Sequence, residues 1–149
     1  MVKKVEHCKS SQCPTACALD IIGDHWTLLV IRELMFKGKH QFKEILTMPE
    51  GISSNILSER LKKLEDNCIV RSFYRSDNKR DKIYYLTEKG KGLIYVMIEI
   101  ARWGAFNLED RAHVPDDRRA FLDNPPKQVA KTIFKRLDDW VKDNLTETA

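Results

Sequence analysis

Apolar positions recur at helical spacing through most of this chain and alternate in one place only. After a polar arm, Pro14 stands at the favoured first position of a short apolar segment, TACALDII, that Gly23 closes. In DHWTLLVIRELMFKGK, Asp24 is a capping residue, and Trp26, Leu29, Val30, Ile31 and Leu34 make a broad apolar face before Gly38. That pattern predicts a largely buried second helix. QFKEILTMP carries Phe42, Ile45 and Leu46 at the same spacing, and Pro49 with Gly51 then forces a turn. Ser53 or Ser54 caps a fourth helix whose Ile56, Leu57, Leu61 and Leu64 fall on one side, with Asn55, Ser58, Glu59 and Lys62 opposite.

The period then changes. Ile69, Arg71, Phe73 and Arg75 interleave with Val70, Ser72 and Tyr74, SDNKRD breaks the run, and KIYYL follows, which predicts a hairpin with a polar tip. Thr87 caps a long helix to about Leu108, whose Leu93, Ile94, Val96, Met97, Ile98, Ile100, Ala101 and Trp103 cover more than half the circumference. A single core needs a stripe of only about 100° or somewhat more. The surplus points to a second partner, most simply another copy of the chain. Residues 109–127 are polar, with Pro115, Pro125 and Pro126, and read as a loop or broken turn. A last amphipathic helix over 128–145 carries Val129, Ile133, Leu137, Trp140 and Val141. The fold class expected is mainly α (α+β): a winged helix-turn-helix with a two-stranded wing and extra N- and C-terminal helices.

Charge gives this order its meaning. Residues 37–82 hold 11 Lys+Arg against 7 Asp+Glu, while the flanking segments balance at 4 against 4 and 11 against 11. The whole formal excess of +4 therefore lies on the stretch patterned as a reading helix and wing, where a phosphate-facing surface needs it. The 149 residues, 42% hydrophobic, suit one domain. No apolar run approaches the roughly 18 residues of a membrane span, and the N-terminus lacks a signal-peptide core, so a cytoplasmic protein with reduced thiols is expected.

A major groove admits one helix and is read by polar side chains near that helix's N-terminus. Ser54, Asn55 and Ser58 are the expected base-facing residues, with Lys62 nearer the phosphates; Glu59 accepts from cytosine or limits non-specific binding. Arg60 projects toward the edge of the apolar face, where an internal ion pair competes with a DNA contact. On the wing, Asn78, Lys79 and Arg80 lie at the tip and Arg75 and Lys82 flank them; Lys39, Gln41 and Lys43 are further backbone-contact candidates. The partner expected is double-stranded DNA. The alternative is a winged-helix module for protein contact with no specific DNA target. No base and orienter stand at enzyme-like spacing near a nucleophile, so no catalytic residue is assigned, and no cofactor either.

CPTACALDIIGDHWTLLVIRELM, ISSNILSERLKKLEDNCIV, YYLTEKG and ARWG, in this order, resemble the HxlR family of bacterial winged-helix regulators, relatives of MarR-type proteins. The resemblance covers about residues 13–104 of a single domain over 1–149, leaving 105–149 as a C-terminal extension with a loop and a helix. It implies a transcriptional regulator, often a repressor, acting as a homodimer on a palindromic operator through the N-terminal and post-wing helices. Two departures stand out. Cys68 occupies a position commonly Gly in the family, which hands the left-handed helix stop to Asn67, and the chain runs past the usual end. Some relatives sense oxidants or electrophiles through a cysteine just before the helix-one proline, which is Cys13 in this sequence. A thiol at a helix N-terminus favours its thiolate, Cys17 lies one turn on, and Cys8 on the arm is placed to resolve a sulfenate. His7, Cys8, Cys13 and Cys17 lack a CxxC pair, so no metal site is assigned.

Overall fold

Caps and prolines set the helix starts. In the computed structural model, which describes residues 6–75 and 80–145, Pro14 opens α2 (Pro14–Ile22) after the short α1 (Cys8–Ser11). The Asp24 side chain accepts from the Thr27 amide and so caps α3 (His25–Met35). A capping box between Gln41 and Glu44 starts α4 (Phe42–Leu46), and Ser53 caps α5 (Ser54–Asp66) by accepting from the Ile56 amide. Gly51, at φ +74, supplies the left-handed residue that turns the chain into α5.

The residues up to Thr87 form one compact unit and those from Glu88 a second. In the first, Val30, Ile31, Leu34 and Met35 of α3 are fully buried with Ile45 of α4 and Leu57 and Leu64 of α5. Each such side chain contributes roughly 1.5–3 kcal/mol on burial. Trp26, Leu29 and Ile56, expected inside, are only half-buried. Strands β1 (Val70–Tyr74) and β2 (Lys82–Leu86) pair antiparallel, Val70 opposite Leu86 and Tyr74 opposite Lys82. The far edge of β2 is met by residues 40–41, since the Tyr84 amide donates to the His40 carbonyl and Gln41 bridges Ile83.

Three expectations change. Asn67 is not the left-handed residue: it sits at φ −96 and its side-chain amide donates to the Lys63 carbonyl, while Cys68 itself takes φ +56. Left-handed backbone costs a side-chain-bearing residue about 1–2 kcal/mol, part of which glycine returns as unfolded-state entropy. Cys68→Gly is therefore expected to stabilise the fold by about 0.5–1 kcal/mol, read as a higher urea midpoint at unchanged slope. An unchanged or lower midpoint contradicts this account of the turn.

The helix expected to run unbroken from Thr87 to about Leu108 is interrupted. The Thr87 hydroxyl donates to the Cys68 carbonyl at 2.6 Å, closing the hairpin base. In the second unit the helical stretch is broken at Gly92 and Leu93 into α6 (Glu88–Lys91) and α7 (Ile94–Asn107). Glycines at 90 and 92 weaken the helix there, and the buried Lys91 ammonium binds Glu88 at 2.8 Å and Asp138 at 2.6 Å.

Finally, 109–127 is not merely a loop, because α8 (Asp116–Asp123) forms within it. Pro115 precedes α8, Asp116 and Asp117 complement its positive end, and the Asn124 side chain donates to the Ala120 carbonyl at its close. Arg102 of α7 donates to the Leu122 and Asn124 carbonyls at the same end. The last helix, α9 (Pro126–Leu145), starts two residues earlier than its apolar pattern and buries Val129, Ala130, Ile133 and Leu137 alongside Ile94, Met97 and Ile98 of α7. Among the described residues, no helix is long and apolar enough to cross a membrane.

Candidate nucleic-acid interface

The reading helix is locked from behind and open in front. Behind, the Asp24 carboxylate takes the Thr27 amide at 3.0 Å, the Thr27 hydroxyl at 2.6 Å, Arg60 Nε at 2.8 Å and Lys63 Nζ at 3.4 Å, joining the start of α3 to the middle of α5. Burial alone would raise this carboxyl; the bonds from Thr27 and Arg60 outweigh it and hold it well below the usual range. Arg60 thus makes the internal ion pair, its half-buried guanidinium held by Asp24. Below the turn, Arg32 holds Glu50 at 2.6 Å and the buried Glu33 at 2.7 Å, and Lys39 also binds Glu33 at 2.5 Å. The Arg32 bonds keep the Glu50 carboxyl at about 2 against the opposing effect of burial. The turn between α4 and α5 is thus tied to α3 by charge.

In front, Ser54, Asn55 and Ser58 are exposed, and no acidic side chain occupies the first turn of α5. The positive end of the helix and its polar side chains face outward together, which suits a phosphate-lined groove. Lys62 and Glu59 continue this face; the Lys62 ammonium reaches only its helical neighbour Asp66, at 2.8 Å in an exposed pair worth little.

The wing is anchored to the same helix. Glu65 accepts from the Ser72 hydroxyl on β1 and faces Lys82 Nζ on β2 at 3.5 Å, and that ammonium also lies 5.0 Å from the Tyr84 ring. Lys82 is thus engaged at the wing base, which sequence reasoning missed: the i, i+7 spacing of Glu65 and Ser72 crosses a helix–strand junction and leaves no periodic trace. Arg75 and Arg80 are exposed on either side of the tip, while Asn78 and Lys79 lie outside the described residues. Of the further candidates, Lys39 is taken by Glu33 and the Gln41 amide by Asp81 at 3.2 Å; Lys43 is exposed.

The cysteines depart from the expected reduced set. Cys8 and Cys17 are joined in a disulfide, their Cα atoms 4.3 Å apart, and Cys13 and Cys68 are free and exposed. The pairing follows from the arm's local fold. Asp20 accepts the His7 and Cys8 amides, both at 2.9 Å, and so draws the start of α1 onto α2. Cys8 is therefore already paired with Cys17 instead of waiting to resolve Cys13. Cys13 is the N-cap of α2, and amide hydrogen bonds from Ala16 and Thr15 lower its thiol pKa. Among the described residues, no group of three or more His, Cys, Asp or Glu is arranged to hold a metal.

This arrangement has relatives. Residues 21–112 match the HxlR-like helix-turn-helix family. The HTH-type transcriptional regulator YodB of Bacillus subtilis strain 168 is 39% identical over 95 residues, covering 63% of this chain and 84% of YodB. YvaP, an HTH-type transcriptional regulator of the same strain, is 34% identical over 96 residues, covering 64% of this chain and 88% of YvaP. The solved reduced form of YodB superposes with a TM-score of 0.54 at 36% identity over 67% of this chain and 98% of that one. The redox regulator HypR in its reduced form superposes at 0.59 with 28% identity, over 66% of this chain and 96% of that one. With the family match covering most of the chain and the winged architecture shared with these structures, this protein belongs to the HxlR-like helix-turn-helix family of transcriptional regulators.

Proposed function

We propose that the chain is a single HxlR-type domain, with 105–149 as an extension, that represses transcription by binding a palindromic operator as a homodimer. The observation that carries this reading is the exposed N-terminal turn of α5, with Ser54, Asn55 and Ser58 outward and the opposite face fixed to α3. Asn55 pairs with adenine, the two serines take neighbouring edges, and Lys62, Arg75 and Arg80, with Asn78 and Lys79, bind phosphates or the minor groove. A second copy places an equivalent helix about one DNA turn away. The test is footprinting on the promoter region beside the gene, followed by titration of the protected site. Asn55→Ala is expected to lower specific affinity about tenfold or more while leaving binding to unrelated duplex unchanged. Equal affinity for all duplexes ends the sequence-specific reading, and no binding at low salt favours a protein-contact module.

A second reading concerns Cys13. Its exposed thiol, favoured as thiolate by the start of α2, supports oxidant or electrophile sensing, and HypR among the structural relatives is described as a redox regulator solved in reduced and oxidised forms. Operator affinity measured before and after a mild oxidant, with Cys13→Ser as control, decides it: a change that survives the substitution removes Cys13 from the role.

A further inference from the structure

One polar side chain from each helix of the helix-turn-helix reaches the wing. Glu65, in the last turn of α5, divides its carboxylate between the strands: one oxygen accepts from the Ser72 hydroxyl of β1, and the other faces Lys82 Nζ of β2 at 3.5 Å. Gln41, the N-cap of α4, uses both ends of its amide. The side-chain oxygen accepts from the Glu44 amide and starts α4, while the nitrogen donates to the Asp81 carboxylate at 3.2 Å, beside the start of β2. Asp81 in turn closes the outer end of the ladder, its carbonyl accepting from the Arg75 amide at 3.1 Å. The base of the hairpin is secured differently. Val70, Ile83 and Leu86 are buried there, and the Tyr84 amide donates to the His40 carbonyl at 2.8 Å. A two-stranded ribbon twists and bends readily beyond such a base. Glu65 and Gln41 therefore add direction to a wing whose root is already packed.

We propose that Glu65 and Gln41 are positioning residues for DNA binding, clamping the wing from α5 and from α4 so that wing and reading helix meet the duplex at one preset spacing. The proposal rests on the DNA-binding reading above. Its physical basis is preorganisation: a wing already held in its bound direction avoids the ordering cost of association. Backbone contacts made by such a wing then fix the register in which α5 enters the groove. The two clamps have opposite chemical requirements. Ser72 needs only an acceptor, so an amide oxygen at position 65 still serves it. Asp81 needs a donor, so a carboxylate at position 41 fails it while still capping α4. Glu65→Gln therefore keeps the grip on β1, whereas Gln41→Glu sets two carboxylates face to face and releases β2. The backbone bridge between residue 41 and Ile83 is untouched by either exchange.

The experiment uses the full chain with Glu65→Ala, Glu65→Gln, Gln41→Glu and Ser72→Ala, each checked for an unchanged helical circular dichroism spectrum. Hydrogen exchange without DNA reads the clamp itself. The Arg75 amide, bonded to Asp81, is expected to exchange roughly tenfold faster in Glu65→Ala and Gln41→Glu, while the Tyr84 amide at the base keeps its rate. Hydroxyl-radical protection of the footprinted duplex reads the consequence. Both variants should lose protection at one edge of each half-site, keep it where α5 lies, and bind about 3–10-fold weaker. Glu65→Gln should recover most of the lost protection and affinity. Ser72→Ala deletes the same bond from the other strand, so the outcome does not depend on Glu65→Ala folding, and the two changes together should weaken binding no more than either alone. An unchanged Arg75 exchange rate overturns the proposal while leaving the DNA-binding reading intact. Loss of protection across the whole half-site also overturns it, as does Glu65→Gln binding as weakly as Glu65→Ala. If exchange responds as expected but the wild type binds no duplex, the DNA-binding reading has failed and the positioning role falls with it.

Discussion

In the proposed homodimer, aspartate at both Ile100 and Trp103 is expected to separate the two copies and to lower affinity for the proposed operator by about 100-fold or more, because each half-site is then held alone. The reason lies in the two faces of α7. Ile94, Met97, Ile98 and Ala105 are buried, while Tyr95, Val96, Ile100, Trp103 and Phe106 stay exposed, Trp103 at 61%. Such a run of large apolar side chains on one helix is unusual for a protomer that acts alone. Full burial of each would contribute roughly 1.5–3 kcal/mol, enough together to offset a substantial part of the association cost. A buried, unpaired carboxylate instead costs about 3–5 kcal/mol. Both positions are exposed in the protomer, so helicity should not change and the melting temperature of the monomer should be unaffected by the charges themselves. Sedimentation of the wild type and double variant at micromolar concentration decides the matter. A variant that still sediments as a dimer moves the interface away from α7, with the exposed Leu19 of α2 the next surface to probe.

The exposed face of α7 was legible because its apolar residues overran the width that one core requires. The reading helix was legible for the complementary reason: Leu57, Leu61 and Leu64 fixed its inner side, so Asn55 and Ser58 had to lie outside. What escaped were interactions with no period. Asp24 was readable as a cap but not as the carboxylate that also receives Arg60 and Lys63. Lys82 had the charge of a DNA contact, yet Glu65 stands close enough to engage it. The helix breaks at Gly92 and α8 were obscured because apolar spacing continues across the first and prolines bracket the second. The Cys8–Cys17 pair depends on the arm folding back, for which the signal was Asp20, an acidic residue otherwise unexplained in an apolar helix. Local pattern fixes which face is inside; it does not reveal which charges meet across elements, and at this interface those charges decide which residues remain for DNA.

Asp24→Ala is expected to destabilise the fold by about 2–4 kcal/mol, the sum of a lost helix cap and of the lost attraction between the Asp24 carboxylate and Arg60 and Lys63. Asp24→Asn separates the contributions, since an asparagine retains the cap on Thr27 and gives up the charge facing Arg60 and Lys63. The pH dependence has a definite sign. The folded-state carboxyl titrates below its ordinary value of 3.8, so its contribution is fully present above that value and is lost as pH falls through it toward the lower folded-state value. The stability difference between wild type and Asp24→Asn should accordingly be constant from neutral pH to about 5 and shrink progressively below about 4. Glu50, held at about 2 by Arg32, titrates in the same acid range but is present in both proteins and cancels in the difference. Denaturant midpoints of the two proteins from pH 7 to 3 make the comparison; because both retain the cap, a difference that stays constant to the acid end shows that it does not come from the carboxylate's charge. Because Arg60 lies on α5, the same substitution loosens the helix that presents Asn55 and Ser58. Operator affinity at pH 7 should therefore fall for Asp24→Asn even under conditions where the protein is fully folded, which distinguishes orientation of the reading helix from stability.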